Sequence, residues 1–208
     1  WREGYLGMIT VGITTFKRRF EMVKGLIECI KRISPEIEII LAVNADYKEK
    51  FDEDYRKGIC QLCVDNSNVF PVFFPTFTSL SKMWNMIVLN ASNEFVLLMN
   101  DDLILENKSF IETVNEEVEK RKNRKIQDQI FKINDSFSYF VCSKAFLDDI
   151  GYFDERLLAF GEEDGDLVWR YIEKYGDEIQ SILIEGVSNM GEGYLIANPN
   201  MKTENVKN

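Results

Sequence analysis

The first hundred residues alternate between short, β-branched apolar runs and longer segments with helical spacing, and three of the runs end directly in polar residues. The runs are Met8 to Thr14, Ile37 to Val43, Val69 to Phe74 and Glu94 to Met99. Between the first two, Phe20, Val23, Leu26, Ile27, Ile30 and Ile33 recur at i, i+3, i+4 and i+7, which predicts a helix over 17–33 that Ser34-Pro35 stops. The charged residues 48–57 and residues 80–91 give two further helical segments. Strands that alternate with helices pair in parallel, because each helix carries the chain back to the same end of the sheet. The pattern therefore predicts an α/β fold: a mostly parallel central sheet with helices on both faces.

In such sheets ligands bind beyond the carboxyl ends of the strands. Thr14-Thr15, Asn44-Ala45-Asp46 and Asn100-Asp101-Asp102 each sit just past a predicted strand end, so the pattern brings all three to one rim. Pro71 and Pro75 mark 69–74 as an edge strand or one that ends early, since proline cannot donate to a ladder. Farther along, helices are expected at 109–122, 144–150 and 164–175, and strands at 137–142 and 181–187. Residues 123–136 and the tail after Val187 read as loops in which specificity would reside. The chain begins with Trp1, so residues 1–7 are expected to be a linker or the remnant of an upstream segment. One domain is expected over 8–190, followed by a polar tail over 191–208.

Composition narrows the chemistry. A net charge of −10 in 208 residues argues against a nucleic-acid partner, which requires a basic footprint. There is no histidine, which removes histidine triads, histidine acid–base catalysis and most zinc sites. No apolar run exceeds five residues (95–99), against about 20 for a membrane-spanning helix. Cys60 and Cys63 form a C-x-x-C with neither a second pair nor a histidine to make a zinc site. With Cys29 and Cys142 they read as reduced thiols of a cytoplasmic protein. Neither a P-loop nor a G-x-G-x-x-G fingerprint is present.

Two acidic constellations remain. Asp101 and Asp102 adjoin at the end of an apolar strand, where like charges raise a pKa unless a cation is present. Mg²⁺ or Mn²⁺ bound to a diphosphate would suit such oxygens, and a turn or helix cap is the plainer alternative. The second is the dense acidic stretch from Asp154 to Asp166, ahead of a helix. Acidic residues suit a helix amino terminus, and one of them could equally be a general base for an acceptor hydroxyl. A calcium loop would need D-x-[DN]-x-[DN]-G spacing, which is missing.

Taken together, these segments resemble family 2 glycosyltransferases of the GT-A fold, over roughly Ile9 to Val187. Val11-Gly-Ile-Thr-Thr-Phe-Lys-Arg18 is similar to that family's opening V-x-I-P-T-Y-N-R, and residues 85–95 are similar to its R-N-x-G-I-x-x-A-x-G-E-Y stretch. Asn100-Asp101-Asp102 falls on its D-x-D motif. Residues 150–156 and 160–167 resemble its G-G-F-D-E-x-F and G-x-E-D-x-D-L. The resemblance implies that Thr14, Thr15, Asn44, Asp46, Asn85, Asn100 and Asp101 serve the nucleotide. It implies Asp102 as the metal ligand, Asp164 as the base and Glu163 as an acceptor-binding residue.

Three positions depart from the family. Asn44 and Asp46 stand where relatives often carry an aspartate, Asn100 takes the first D-x-D position, and Ser188 or Asn189 stands where many have a histidine ligand. Trp169, Tyr171 and Tyr175, at helical spacing, read as core rather than as a sugar-stacking surface. The implied activity is metal-assisted, inverting transfer of a sugar from a nucleotide-sugar donor to a carbohydrate or lipid-linked acceptor, in the assembly of surface polysaccharide or glycoconjugate. Contact with the cytoplasmic face of a membrane and with other domains of a longer polypeptide fits that setting. The alternative is a non-catalytic nucleotide- or sugar-binding domain of a larger synthase. A nucleotidyltransferase ranks behind both, because Thr14-Thr-Phe-Lys-Arg-Arg19 has basic residues but no glycines.

Overall fold

The computed structural model describes residues 8–46, 50–157 and 162–189. Residues 1–7 and 190–208, and with them the expected linker and tail, lie outside the described residues, as do Phe160 and Gly161 of the acidic stretch. Strands β1 (Ile9–Phe16), β2 (Ile39–Asn44), β3 (Val69–Phe74) and β4 (Phe95–Asn100) alternate with helices α1 (Phe20–Ile33), α2 (Glu53–Asp65) and α3 (Leu80–Asn90). After β4 come β5 (Leu103–Leu105), α4 (Phe110–Arg121), β6 (Ile130–Ile133), β7 (Ser136–Ser143), α5 (Lys144–Ile150), α6 (Glu163–Tyr175), β8 (Ser181–Ile182) and β9 (Val187–Asn189).

Seven strands form one mostly parallel sheet in the order β3-β2-β1-β4-β7-β6-β8, and β5 pairs with β9 in a small separate ribbon. The α/β expectation holds, and β3 is the edge strand that its prolines required. Each central strand is covered on both faces, which is why it reads as a continuous apolar run. Val11, Ile13, Leu97, Met99 and Val141 join α1, α2 and α4 in one core. Ile40, Ala42, Val96, Leu98 and Phe140 join α3, α5 and α6 in the other. Gly12 lies in β1 where α3 approaches closest: a Cβ there would stand 2.2 Å from Ile87 Cγ2 and 3.0 Å from Leu98 Cδ2.

Several boundaries differ from expectation. The first helix begins at Phe20, because Lys17–Arg19 form a 3-10 turn that closes β1. The second runs over 53–65 rather than 48–57. Asp52 caps it by accepting from the Tyr55 backbone N–H at 2.7 Å, and Tyr55, Ile59 and Leu62 form its buried stripe. Residues 123–136, expected to be a loop, contain β6, an interior strand joined to β7 by a tight turn with positive φ at Asn134 and Asp135. The expected strand over 181–187 is two pieces in different sheets, parted at Gly186 with φ +73°. All four cysteines are free thiols. No helix among the described residues is long and apolar enough to cross a membrane.

Candidate functional site

The sheet reverses its order between β1 and β4. The chain moves outward from β1 to β2 and β3, then returns across the sheet to place β4 on the other side of β1. A crevice opens at such a switch point, beyond the carboxyl ends of the two strands. The register sets Thr14 beside Asn100 and Thr15 beside Val43, with Phe16 beside Asn44. Thr14, Thr15, Asn44, Asn100, Asp101 and Asp102 thus meet at one rim, as the strand-end pattern predicted.

Asp101 and Asp102 form the turn between β4 and β5, and each is only 2% exposed. Their counter-ion is Arg19, the last residue of the 3-10 turn after β1. Its Nη1 lies 2.7 Å from Asp101 Oδ1 and 3.1 Å from Asp102 Oδ2. The guanidinium also sits over the Phe16 ring, 5.2 Å from its centroid. The other oxygen of each carboxylate, Asp101 Oδ2 and Asp102 Oδ1, is buried without a hydrogen-bond partner among the described residues, as are Thr15 Oγ1 and the Tyr55 hydroxyl. Thr15 stands near both Asp101 and Tyr55, and its hydroxyl acts to lower the pKa of each. Tyr55 reaches the rim from α2, held edge-on by Phe20 and stacked on Phe51. Asp46, two residues past β2, is close enough that its charge, with burial and Asp101, pushes the Tyr55 hydroxyl upward.

Burial pushes the Asp101 carboxyl up to about 6 even though the charge of Arg19 opposes the shift. The unfolded chain ionises this group near 3.9, so the folded state holds the proton longer. Its contribution therefore disfavours folding progressively as pH rises from about 4 to about 6. The melting temperature of wild type minus that of Asp101→Asn is expected to fall across this window and level off above it. A denaturation series over pH 4–7 checks this.

Burying carboxylate oxygens without partners among the described residues is costly unless something binds there. Among the described residues, no group of three or more His, Cys, Asp or Glu side chains could hold a metal alone. The pair offers two carboxylate oxygens to a hard cation such as Mg²⁺ or Mn²⁺. Such ions accept a shell completed by phosphate and water, so the residues fit a metal that arrives with a diphosphate.

Other sequence-singled residues shape the rim rather than face it. Asn44 donates its Nδ2 to the Thr78 carbonyl at 2.9 Å and accepts from the Thr78 N–H at 3.0 Å. Asn85 does the same to Phe153, at 2.9 and 3.1 Å, and also donates to Glu155 Oε1. Each amide imitates a peptide unit and fixes a loop. Arg170 of α6 donates to the carbonyls of Ile150, Gly151 and Tyr152 and pairs with Asp166. The loop 150–156 is therefore tied to both α3 and α6.

Glu163 and Asp164 open α6. Glu163 is buried and accepts from the Glu162 N–H at 2.9 Å; Asp164 is half-buried and accepts from the Gly165 N–H at 2.9 Å. No hydrogen bond or ion pair among the described residues joins either of them to the Asp101–Asp102 pair. Ser188 and Asn189 lie in β9, with Asn189 across from Leu103, one residue beyond Asp102. Tyr171 is core, as expected, whereas Trp169 is 62% exposed on the outer side of α6. The sequence reading missed Arg19 and Tyr55. The basic run 17–19 and the i, i+4, i+7 spacing of Tyr55, Ile59 and Leu62 were the available signals.

No family model matches the sequence, and no curated protein matches it. Solved structures do resemble the fold. Crystal structures of S. aureus TarS and of TarS 1-349 are 15% and 14% identical, with TM-scores of 0.63 and 0.60 over 86% and 85% of this chain. The mannosyltransferase PcManGT from Pyrobaculum calidifontis, in complex with GDP-Man and Mn²⁺, is 11% identical, with a TM-score of 0.65 over 95% of this chain. The chain spans 36%, 57% and 62% of the lengths of those three chains. At these identities the likeness defines a class of fold, the glycosyltransferase type, and nothing narrower.

Proposed function

We propose that this chain transfers a sugar from a nucleoside-diphosphate sugar to a hydroxyl of a carbohydrate or lipid-linked acceptor, with inversion at the anomeric carbon. The observation that carries this reading is the buried Asp101–Asp102 pair at the β1/β4 switch point, each carboxylate keeping one oxygen without a partner among the described residues. The likeness to a mannosyltransferase that holds GDP-Man and Mn²⁺ supports it.

Thr14, Thr15 and Asn100 line the nucleotide side of the rim. Asn44 and Asn85 hold its loops, and Asp46 and Tyr55 bound it toward α2. Asp101 and Asp102 would hold Mn²⁺ or Mg²⁺, which when bound offsets the charge that builds on the departing diphosphate. Asp164 takes the proton of the acceptor hydroxyl while the new glycosidic bond forms and the bond to the diphosphate breaks. Glu163, buried beside it, shapes the acceptor side. Assembly of surface polysaccharide or glycoconjugate in the cytoplasm, at the membrane face, is the setting this reading favours.

Melting curves with UDP, GDP, dTDP and CMP, each with and without Mn²⁺, test the donor site. A nucleotide at 100 times its Kd adds about 2.7 kcal/mol, a rise of roughly 5–10 °C for a domain of this size. That rise is expected for one nucleoside diphosphate with Mn²⁺, and is expected to vanish in Asp102→Ala. Absence of any shift in wild type would overturn the reading. A non-catalytic binding domain of a larger synthase is the second reading, favoured by the lack of a third metal-ligating side chain beside the pair among the described residues. Turnover of a donor sugar by the purified chain would exclude it.

A further inference from the structure

We propose that Arg19 makes divalent-metal binding at the Asp101–Asp102 pair conditional on a bound diphosphate; this deepens the transferase reading above and rests on it. The 3-10 turn after β1 brings Arg19 back over the strand ends, where one guanidinium faces two carboxylates at 2.7 and 3.1 Å. The arginine side chain is 12% exposed and is backed by the Phe16 ring. Arg19 and the pair together carry a single net negative charge, and Asp46 adds another at the same rim.

A lone divalent ion entering there would be repelled by the guanidinium in surroundings that screen poorly. Lys17, two residues earlier in the same turn, is engaged by Asp52 at 2.6 Å. A nucleoside diphosphate removes the obstacle. It brings at least two negative charges, and its phosphate oxygens match the arginine fork. The ion would then bind between two carboxylates and a diphosphate, with the arginine charge balanced. The open atoms suit this arrangement: Asp101 Oδ2 and Asp102 Oδ1 for the ion, Thr15 Oγ1 and the Tyr55 hydroxyl for polar ligand atoms. The resident arginine thus excludes free metal and admits the metal–nucleotide complex.

The test is a titration of Mn²⁺, followed by the loss of its free-ion electron paramagnetic resonance signal. It uses the full chain as wild type, Arg19→Gln and Arg19→Lys. Each is titrated with Mn²⁺ alone, and with Mn²⁺ plus whichever of UDP, GDP or dTDP stabilises the wild type. Wild type is expected to bind Mn²⁺ at least tenfold more tightly with the nucleotide than without. Arg19→Gln is expected to bind Mn²⁺ alone at least tenfold more tightly than wild type and to lose most of the coupling. Arg19→Lys, which keeps the charge but not the fork, is expected to bind Mn²⁺ alone as weakly as wild type.

If Arg19→Gln binds Mn²⁺ alone no more tightly than wild type, while wild type still couples metal to nucleotide, the role of Arg19 is overturned and the transferase reading stands. If wild type binds no nucleotide under any condition, both fall. Should Arg19→Gln fail to fold, wild type still decides: equal Mn²⁺ affinity with and without nucleotide overturns the proposal.

Discussion

Asp164→Asn is expected to lower sugar transfer by roughly 10²–10⁴-fold, the usual loss when a general base is removed. The melting shift given by nucleotide and Mn²⁺ should persist. Asp164 lies in the first turn of α6, half-buried, and is tied by one oxygen to the Gly165 N–H. An amide can keep that bond and nearly the same shape, but it cannot accept the acceptor's proton. No hydrogen bond or ion pair among the described residues links Asp164 to the Asp101–Asp102 pair, so donor binding should be nearly untouched. The expected signature is a fall in kcat with donor KM close to wild type. Unchanged kcat would remove Asp164 from the chemistry and move the base to another carboxylate of the acidic stretch.

Gly12→Ala is expected to be the most destabilising single-methyl change in the sheet. The added carbon would stand 2.2 Å from Ile87 Cγ2, a contact that real structures do not tolerate. Either α3 must shift off the sheet or Ile87 must leave its rotamer. Both strain a core that includes Val96, Leu98 and Phe140. Overpacking of this kind costs about 1–3 kcal/mol, so the melting temperature should drop by roughly 2–12 °C. The decisive control is the double variant. Ile87→Ala is itself costly, but the further penalty of Gly12→Ala should largely vanish in that background. If the two penalties simply add, the close approach of Ile87 is not what fixes glycine at position 12.

The central strands were legible because burial on both faces leaves a run such as Phe95 to Met99 unbroken, and α1 because its apolar stripe keeps one period. The rim was legible for the same reason: polarity returns abruptly where strand cover ends. The charge run at 48–57 misled, because the α2 boundary depends on Asp52 capping, and the helix is carried by Tyr55, Ile59 and Leu62. Strand β6 was hidden in a mostly polar stretch, although Asn134-Asp135, able to adopt positive φ, gave the hairpin signal. Trp169 was read as core from its residue type, yet its place on the outer side of α6 exposes it. The Arg19–Asp101 pair joins residues 82 apart in sequence. No local pattern carries such a contact; it exists only because β1 and β4 are neighbours in the sheet.

The two asparagine clamps have a kinetic consequence. Loops beside a ligand crevice ordinarily open independently of the strands they join. Here Thr78 and Phe153, although outside regular structure, each exchange two hydrogen bonds with a buried amide. Releasing either backbone costs two hydrogen bonds to a buried side chain held in β2 or α3. The walls of the crevice therefore belong to the same cooperative unit as the sheet, and motions that admit or release ligands are left to segments without such ties.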